Sequence, residues 1–356
     1  MVKLPDALRD WLARSAEDID LGRISASEIL PRLAAARLPH QGVPVALGGA
    51  GGDAADALAA VIAVAEESLA ASFILWGHRC YIEFLLQTPN AALREAQLAD
   101  VLEGRIAGAS GLSNAMKFVA GLEPLQLTAR EDGDDLIIDG KLPWVTNLRS
   151  DGFHVAAAAD RTDGGPAIII SLSSDDVGVT RSDDLSLMGM RSSDTASVRI
   201  EDVRIPRDRV IASNAPQWLP IVRPLFIAMQ CGMAIGLASR SLREAEHSGG
   251  AGRSVLADDI ATQRDLLNQE TQALATGLRD GSFVANCVPL FKQRIRLTDL
   301  VTQATALELQ TGGGRCYLSE PGRDFARRWR EAAFIPVVTP SIVQLRAVLA
   351  AAKEAA

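Results

Sequence analysis

Within IIDGKLPWVTN (Ile137–Asn147), an indole at Trp144 and a hydroxyl at Thr146 stand two residues apart on what reads as a strand. Alternation of side chains sends both to the same face. A flat apolar ring beside a hydroxyl is what a planar redox ring such as a flavin requires: a surface to lie on and a hydrogen-bond partner for its N5 edge. The plainer use of an isolated W-x-T is to fill a barrel core. GGAGGD (Gly48–Asp53) lacks the Lys-Ser/Thr that completes a phosphate-binding loop and does not follow a strand as GxGxxG does, so it reads as a flexible loop. QTGGG (Gln310–Gly314) falls at a helix end, where glycine caps, although three glycines also let a ligand approach the backbone closely.

His78, inside the apolar run FILWGHRCY, is either a satisfied core imidazole or an acid–base group. His40, His154 and His247 are scattered and offer no metal-ligand spacing. RDFARRWRE (Arg323–Glu331) reads as a solvated helix face with internal ion pairs, or as a subunit contact.

The elements that must hold these residues fall into three textures, giving expected domains at 1–105, 106–206 and 207–356. The first is helical, with Ser25-Ala-Ser-Glu28 spaced as a capping box. The second is a series of strand-length runs separated by Asp-Gly turns, which predicts an antiparallel barrel or sandwich. The third returns to helices; Leu290, Leu297, Val301 and Ala304 mark one buried face, and Gly249–Gly252 breaks two helices. The expected class is therefore α+β: an N-terminal helical domain, a middle β domain and a C-terminal helical bundle.

Composition narrows the function. The chain has 356 residues, 48 % of them apolar, so it can bury a large core. A formal net charge of −8 lacks the basic footprint of a nucleic-acid binder. Four well-separated cysteines without a CxxC pair read as reduced thiols. The charged N-terminal stretch is not a signal peptide, and the apolar run Leu225–Ala238 falls short of a bilayer span. A cytoplasmic protein with no membrane partner is expected.

Five segments, in order, resemble the acyl-CoA dehydrogenase superfamily. VPVALGGAGGD resembles its VPEEYGGAGGD loop, and IIDGKLPWVTN its lnGxKxWITN strand pair. GMRSSDTASVRIEDVRIPRDRVI is similar to GmrgsxtxxvxfxdVxVPxxnll, LASRSLREA to the helix opening its C-terminal four-helix bundle, and QTGGGRCYLSEPGRDFARRWREA to QxxGGxGYxxexpxxrxxRDa. The resemblance implies FAD, with FMN as the alternative. It places flavin contacts at Ser110, Trp144, Thr146 and Thr339, and contacts to a neighbouring subunit's FAD at Gln310, Gly313 and Gly314. It implies an acyl substrate such as an acyl-CoA, an electron acceptor or flavin reductase, and a homodimer or homotetramer.

The chain departs from that family at its base. The family's Glu opens the Glu-Gly pair that precedes the Thr matched by Thr339, where this chain has Pro336-Val337-Val338, so Val337 falls at the place of the Glu; no Asp or Glu lies between Glu331 and Glu354, nor between Asp208 and Glu244. The T-E-P-x-x-G-S-D loop is shortened around Ser110-Gly-Leu-Ser-Asn114, and HSGGAGRS leaves Arg253 as the one substitute for an Arg that reaches a neighbour's FAD. Three functions remain open: α,β-dehydrogenation of an acyl group with a displaced base, monooxygenation with supplied reduced flavin (with His78 and Ser110 as its supports), and a non-catalytic subunit.

Overall fold

The computed structural model describes residues 2–248 and 252–354, with the side chains of Arg253 and Glu354 outside that description. Five helices come first: α1 (Asp6–Asp20), α2 (Ala26–Ala35), α3 (Ala54–Ala65), α4 (Leu69–Gln87) and α5 (Ala91–Leu102). Ser25 caps α2 by accepting the Ser27 N–H at 3.2 Å. The closed box forms one helix later: Asp53 accepts the Ala55 N–H at 2.8 Å while Asp56 accepts the Asp53 N–H at 2.9 Å. GGAGGD is thus the lead into α3. Its glycines serve packing, since a Cβ on Gly49 would lie 2.0 Å from the Val43 carbonyl oxygen.

The strands follow: β1 (Ala107–Ser110), then, after the short helix α6 (Ser113–Val119), β2 (Leu127–Asp132), β3 (Asp135–Val145), β4 (Phe153–Arg161), β5 (Ile168–Ser173), β6 (Val179–Arg181), β7 (Ala196–Pro206) and β8 (Val210–Ala212). They form one sheet in the order β6-β7-β3-β2-β4-β5-β8, with β1 also on β4. Most pairs are antiparallel, as expected, but β1–β4 and β2–β4 are parallel. One edge of β4 belongs to β5. The other is shared, with β1 against Phe153–Ala156 and β2 reaching Asp160 and Arg161. Two strands that leave helical segments in the same direction meet one partner end to end, a pattern that hairpin signals do not carry.

The remaining helices are α7 (Ala215–His247), α8 (Ala257–Arg279), α9 (Ser282–Ala285), α10 (Val288–Gly312), α11 (Arg323–Phe334) and α12 (Ile342–Glu354). The long helices α7, α8 and α10 pack on one another, α11 packs on α7 and α10, and α12 on α10. Leu290, Leu297, Val301 and Ala304 are all buried, so the periodicity marks a true core face. Of the expected break at 249–252, residues 249–251 lie outside the described residues. The run Leu225–Ala238 extends within α7, which by length and composition alone could cross a membrane; 89 % of its apolar window is buried inside the fold, the situation of a core helix.

RDFARRWRE is not a solvated face. Arg327, Arg328 and Glu331 are buried. Glu331 accepts from Arg327 at 2.7 Å and from the Leu69 N–H at 3.2 Å, while Arg328 forks onto Glu308 of α10 through Nη2 and through Nε at 3.0 and 3.1 Å. The expected internal ion pair is present as Arg327–Glu331, but the partners that go with burial of the stretch, Leu69 and Glu308, lie on other helices and leave no mark in its sequence. Removing one member strands the other without water: Glu308→Ala should cost about 3–5 kcal/mol, whereas Glu308→Leu combined with Arg328→Met should cost much less. Urea unfolding of both variants checks this.

Candidate active site

A cavity of about 520 Å³ opens between the end of β3, the loop at 187–195, α4, and the segment that continues α11. Trp144, Thr146, Ser110 and Thr339 all line it, so four of the sequence-predicted residues come together. They do so although β3 stops at Val145 and its ladder to β7 shifts register between Leu142 and Val145. Trp144 stands at 59 % exposure, a flat apolar surface rather than core filling. Thr146 is buried, and its hydroxyl joins a chain: 2.9 Å to Thr195, whose own hydroxyl is 2.8 Å from that of Ser193.

Ser110 ends β1 with its Oγ buried and, among the described residues, without a hydrogen-bond partner. A buried orphan hydroxyl costs roughly 1–3 kcal/mol unless a ligand satisfies it. Thr339 is held from behind, where Gln230 of α7 donates to its carbonyl at 2.7 Å. The cavity floor is aromatic. Phe73 and Trp76 of α4 stack at 5.3 Å, and Phe334 meets Phe73 edge-on at 4.8 Å. The exposed Trp144 indole, the hydroxyl chain and the orphan Ser110 Oγ fit a flavin ring.

The charged lining is one-sided. Lys117 and Arg330 line the cavity, and among the described lining residues none is Asp or Glu. Val337 and Val338 occupy the wall beside Thr339. The carboxylates stand behind: Glu123 pairs with Lys117 at 3.1 Å, and the fully buried Asp20 accepts from Arg330 at 2.7 and 3.0 Å and from the Met190 N–H at 2.7 Å. Asp194, next to Thr195, has its carboxyl pushed up to about 6 by burial and then by Asp184, but it does not line the cavity. The sequence does not place Lys117, Arg330 or Asp20 at the site; it presents Arg330 only as part of the RDFARRWRE face, and the pairing with Asp20 joins α1 to α11.

Gln310, Gly313 and Gly314 stand apart from the cavity, at the end of α10; Gln310 and Gly314 are exposed. The side chain of Arg253 lies outside the described residues. His78 does not reach the cavity. Fully buried in α4, it accepts the Gly108 N–H at Nδ1 (2.9 Å) and sets Nε2 2.7 Å from the Val101 carbonyl, which fixes the neutral Nε2–H tautomer. Burial, followed by the nearby Arg149 and Arg79, pushes its pKa down to about 4. The structure gives His78 a framework position rather than an acid–base one.

No family model matches the chain. A Bacillus subtilis protein named probable acyl-CoA dehydrogenase YngJ is 25 % identical over 267 residues, covering 68 % of this chain and 67 % of that protein. The probable acyl-CoA dehydrogenase fadE25 of Mycobacterium leprae is 27 % identical over 233 residues, covering 63 % of this chain and 60 % of its own length. The structure of butyryl-CoA dehydrogenase from Megasphaera elsdenii superposes with a TM-score of 0.80 at 18 % identity over 99 % of both chains, so the fold is shared.

The position of His78 sets a pH dependence. Its folded pKa lies below its unfolded value, so the unfolded chain takes up the proton first as pH falls. The stability is fully present above about pH 6.5 and is lost progressively toward pH 4, by up to about 3 kcal/mol from this group. His78→Leu should lower stability at pH 7.5, because two buried backbone groups lose their partner, and should flatten the decline between pH 7 and 5. Urea midpoints across that range measure both effects.

Proposed function

We propose, for a chain that belongs to the acyl-CoA dehydrogenase-like superfamily, that it is an FAD-dependent oxidoreductase acting on an acyl group, by α,β-dehydrogenation. One observation carries the reading: Trp144, Thr146, Thr339 and the unpartnered Ser110 hydroxyl converge on a single recess above an aromatic floor. Trp144 offers the ring an apolar surface. The Thr146 hydroxyl, backed by Thr195 and Ser193, offers a hydrogen bond at its edge. FAD, when bound, supplies the acceptor for a hydride from the acyl β-carbon. Phe73, Trp76 and Phe334 exclude water around the acyl chain. Gln310, Gly313 and Gly314 serve the FAD of a neighbouring subunit, so the active form is a homo-oligomer, with an electron-transfer protein as the redox partner.

The α-proton is the weak point of this chemistry. Val337 cannot remove it, and the titratable groups of the lining are cationic. That absence favours a second reading, monooxygenation with reduced flavin from a partner reductase, which needs no carboxylate at position 337. With both ring nitrogens of His78 committed to backbone, Ser110 is the remaining support from the sequence.

Purified protein should show the visible absorption of bound flavin, and a colourless protein that also fails to take up added FAD rejects both readings. Slow anaerobic bleaching by acyl-CoA supports dehydrogenation, whereas oxygen-dependent product formation from supplied reduced flavin supports the second reading. Restoring a carboxylate with Val337→Glu should accelerate anaerobic bleaching by about 10²–10⁴-fold, the usual worth of a positioned general base. An unchanged rate in a folded, flavin-loaded variant rejects position 337 as the missing base.

A further inference from the structure

Arg330, Ala333, Phe334 and Val337 all line the cavity. Their spacing of i, i+3, i+4 and i+7 puts them on one stripe along α11 and the turn that continues it. The stripe brings a guanidinium onto the same wall as the position that matches the family's base. Asp20 engages one edge of that guanidinium, at Nε (3.0 Å) and Nη2 (2.7 Å), and among the described residues Nη1 makes no hydrogen bond. Asp20 is itself locked. It is fully buried, it takes the Met190 N–H, and a Cβ on Gly189 would lie 2.7 Å from its Oδ1, so the 189–190 wall closes directly over it.

A ligand therefore meets the cation and not its counter-ion. Lys117 repeats the arrangement with Glu123, which stands off the lining. A half-buried, pre-oriented guanidinium with a free donor edge, in a recess whose other polar side chains are hydroxyls, an amide and Lys117, is complemented by a ligand that brings the opposite charge.

We propose that Arg330, positioned by Asp20, selects an acyl substrate that carries its own carboxylate, so that the ligand supplies the negative charge the cavity wall lacks. This rests on the acyl-group reading above, and binding can be measured apart from turnover. Isothermal titration of the purified chain with glutaryl-CoA and with hexanoyl-CoA should show a preference for glutaryl-CoA of roughly 10- to 100-fold, the range of a charge-assisted hydrogen bond. Arg330→Met should remove the preference, and Arg330→Lys should keep part of it at unchanged flavin content.

Equal affinity for the two ligands in the wild type overturns the proposal while leaving the flavin reading intact. Equal affinity that drops for both in Arg330→Met also overturns it, and assigns Arg330 to a phosphate of CoA. A loss of flavin from Arg330→Met with the preference retained overturns it as well, because Arg330 then holds the cofactor. A preference observed in a protein that takes up no flavin upholds the anion subsite and rejects the oxidoreductase reading.

Discussion

A strand whose second edge meets no other strand must satisfy its peptide groups some other way if it is buried. Strand β1 pairs with β4 on one side only, and the outward-facing peptide groups of Gly108 are completed by side chains: His78 takes the N–H, and Asn147 donates to the C=O at 2.8 Å. The same residue must be glycine, because a Cβ there would lie 2.7 Å from the Cβ of Tyr81 in α4. This junction fixes two sides of the cavity at once. Ser110 follows two residues along β1, and Asn147 directly follows Trp144-Val145-Thr146. Asn147 adopts a left-handed conformation (φ 63°), and its N–H reaches the Ser193 carbonyl, tying in the loop that supplies Thr195. A titratable imidazole is used here for its shape and its two nitrogens, and keeping it neutral is what makes the junction sensitive to acid.

The two cations that line the cavity share one arrangement, each with its carboxylate off the lining: Asp20 lies under Arg330 and Glu123 beside Lys117. Pairs of this kind add little to net stability, yet breaking one is expensive, so they act mainly to fix orientation. For Arg330 the orientation has a chemical consequence, because the guanidinium faces the recess while its neutralising partner is sealed from it. An acid–base residue for proton abstraction would need the reverse arrangement, a carboxylate facing the ligand. The wall beside Thr339 offers Val337 and Val338 instead.

What the sequence disclosed follows from how local each signal is. The helix–strand–helix order, the buried face of α10 and the convergence of Trp144 with Thr146 were legible because periodicity and alternation act over a few residues. The charges of α11 were misread for the converse reason. Their burial depends on Glu308 and on the N-terminus of α4, and the composition of a nine-residue stretch cannot report that. Asp20 and Arg330 are separated by 310 positions, and His78 gains its neutral tautomer only when β1 arrives beside α4. The shared edge of β4 is a topological fact, whereas hairpin signals report only neighbouring strands. Gln310, Gly313 and Gly314, which the family resemblance assigns to a neighbouring subunit's FAD, lie apart from the cavity.

Of the residues proposed to seat the flavin, Ser110, Trp144 and Thr146 sit on other elements than Val337, and Thr339 shares its segment, which bears on how the absence of a carboxylate there should be understood. The proposed flavin wall is built by β1, the end of β3 and the 190–195 loop, and these elements are locked together by Gly108, Asn147 and the Ser193–Thr195–Thr146 hydroxyls. The wall that carries Val337 hangs from α11 and has anchors of its own, Arg294, fully buried and donating to the Ile335 carbonyl at 2.5 Å, and Gln230 under the Thr339 carbonyl, while Asp20 ties Arg330 of α11 to the Met190 N–H of the other wall. Position 337 takes no part in these side-chain ties, so a change there alters the chemistry offered to the ligand and leaves the proposed ring seat in place, whereas Arg330, linked through Asp20 to Met190, couples the two walls. Under the proposed reading, a chain with Val at position 337 is a stable solution of the fold and need not be a damaged one.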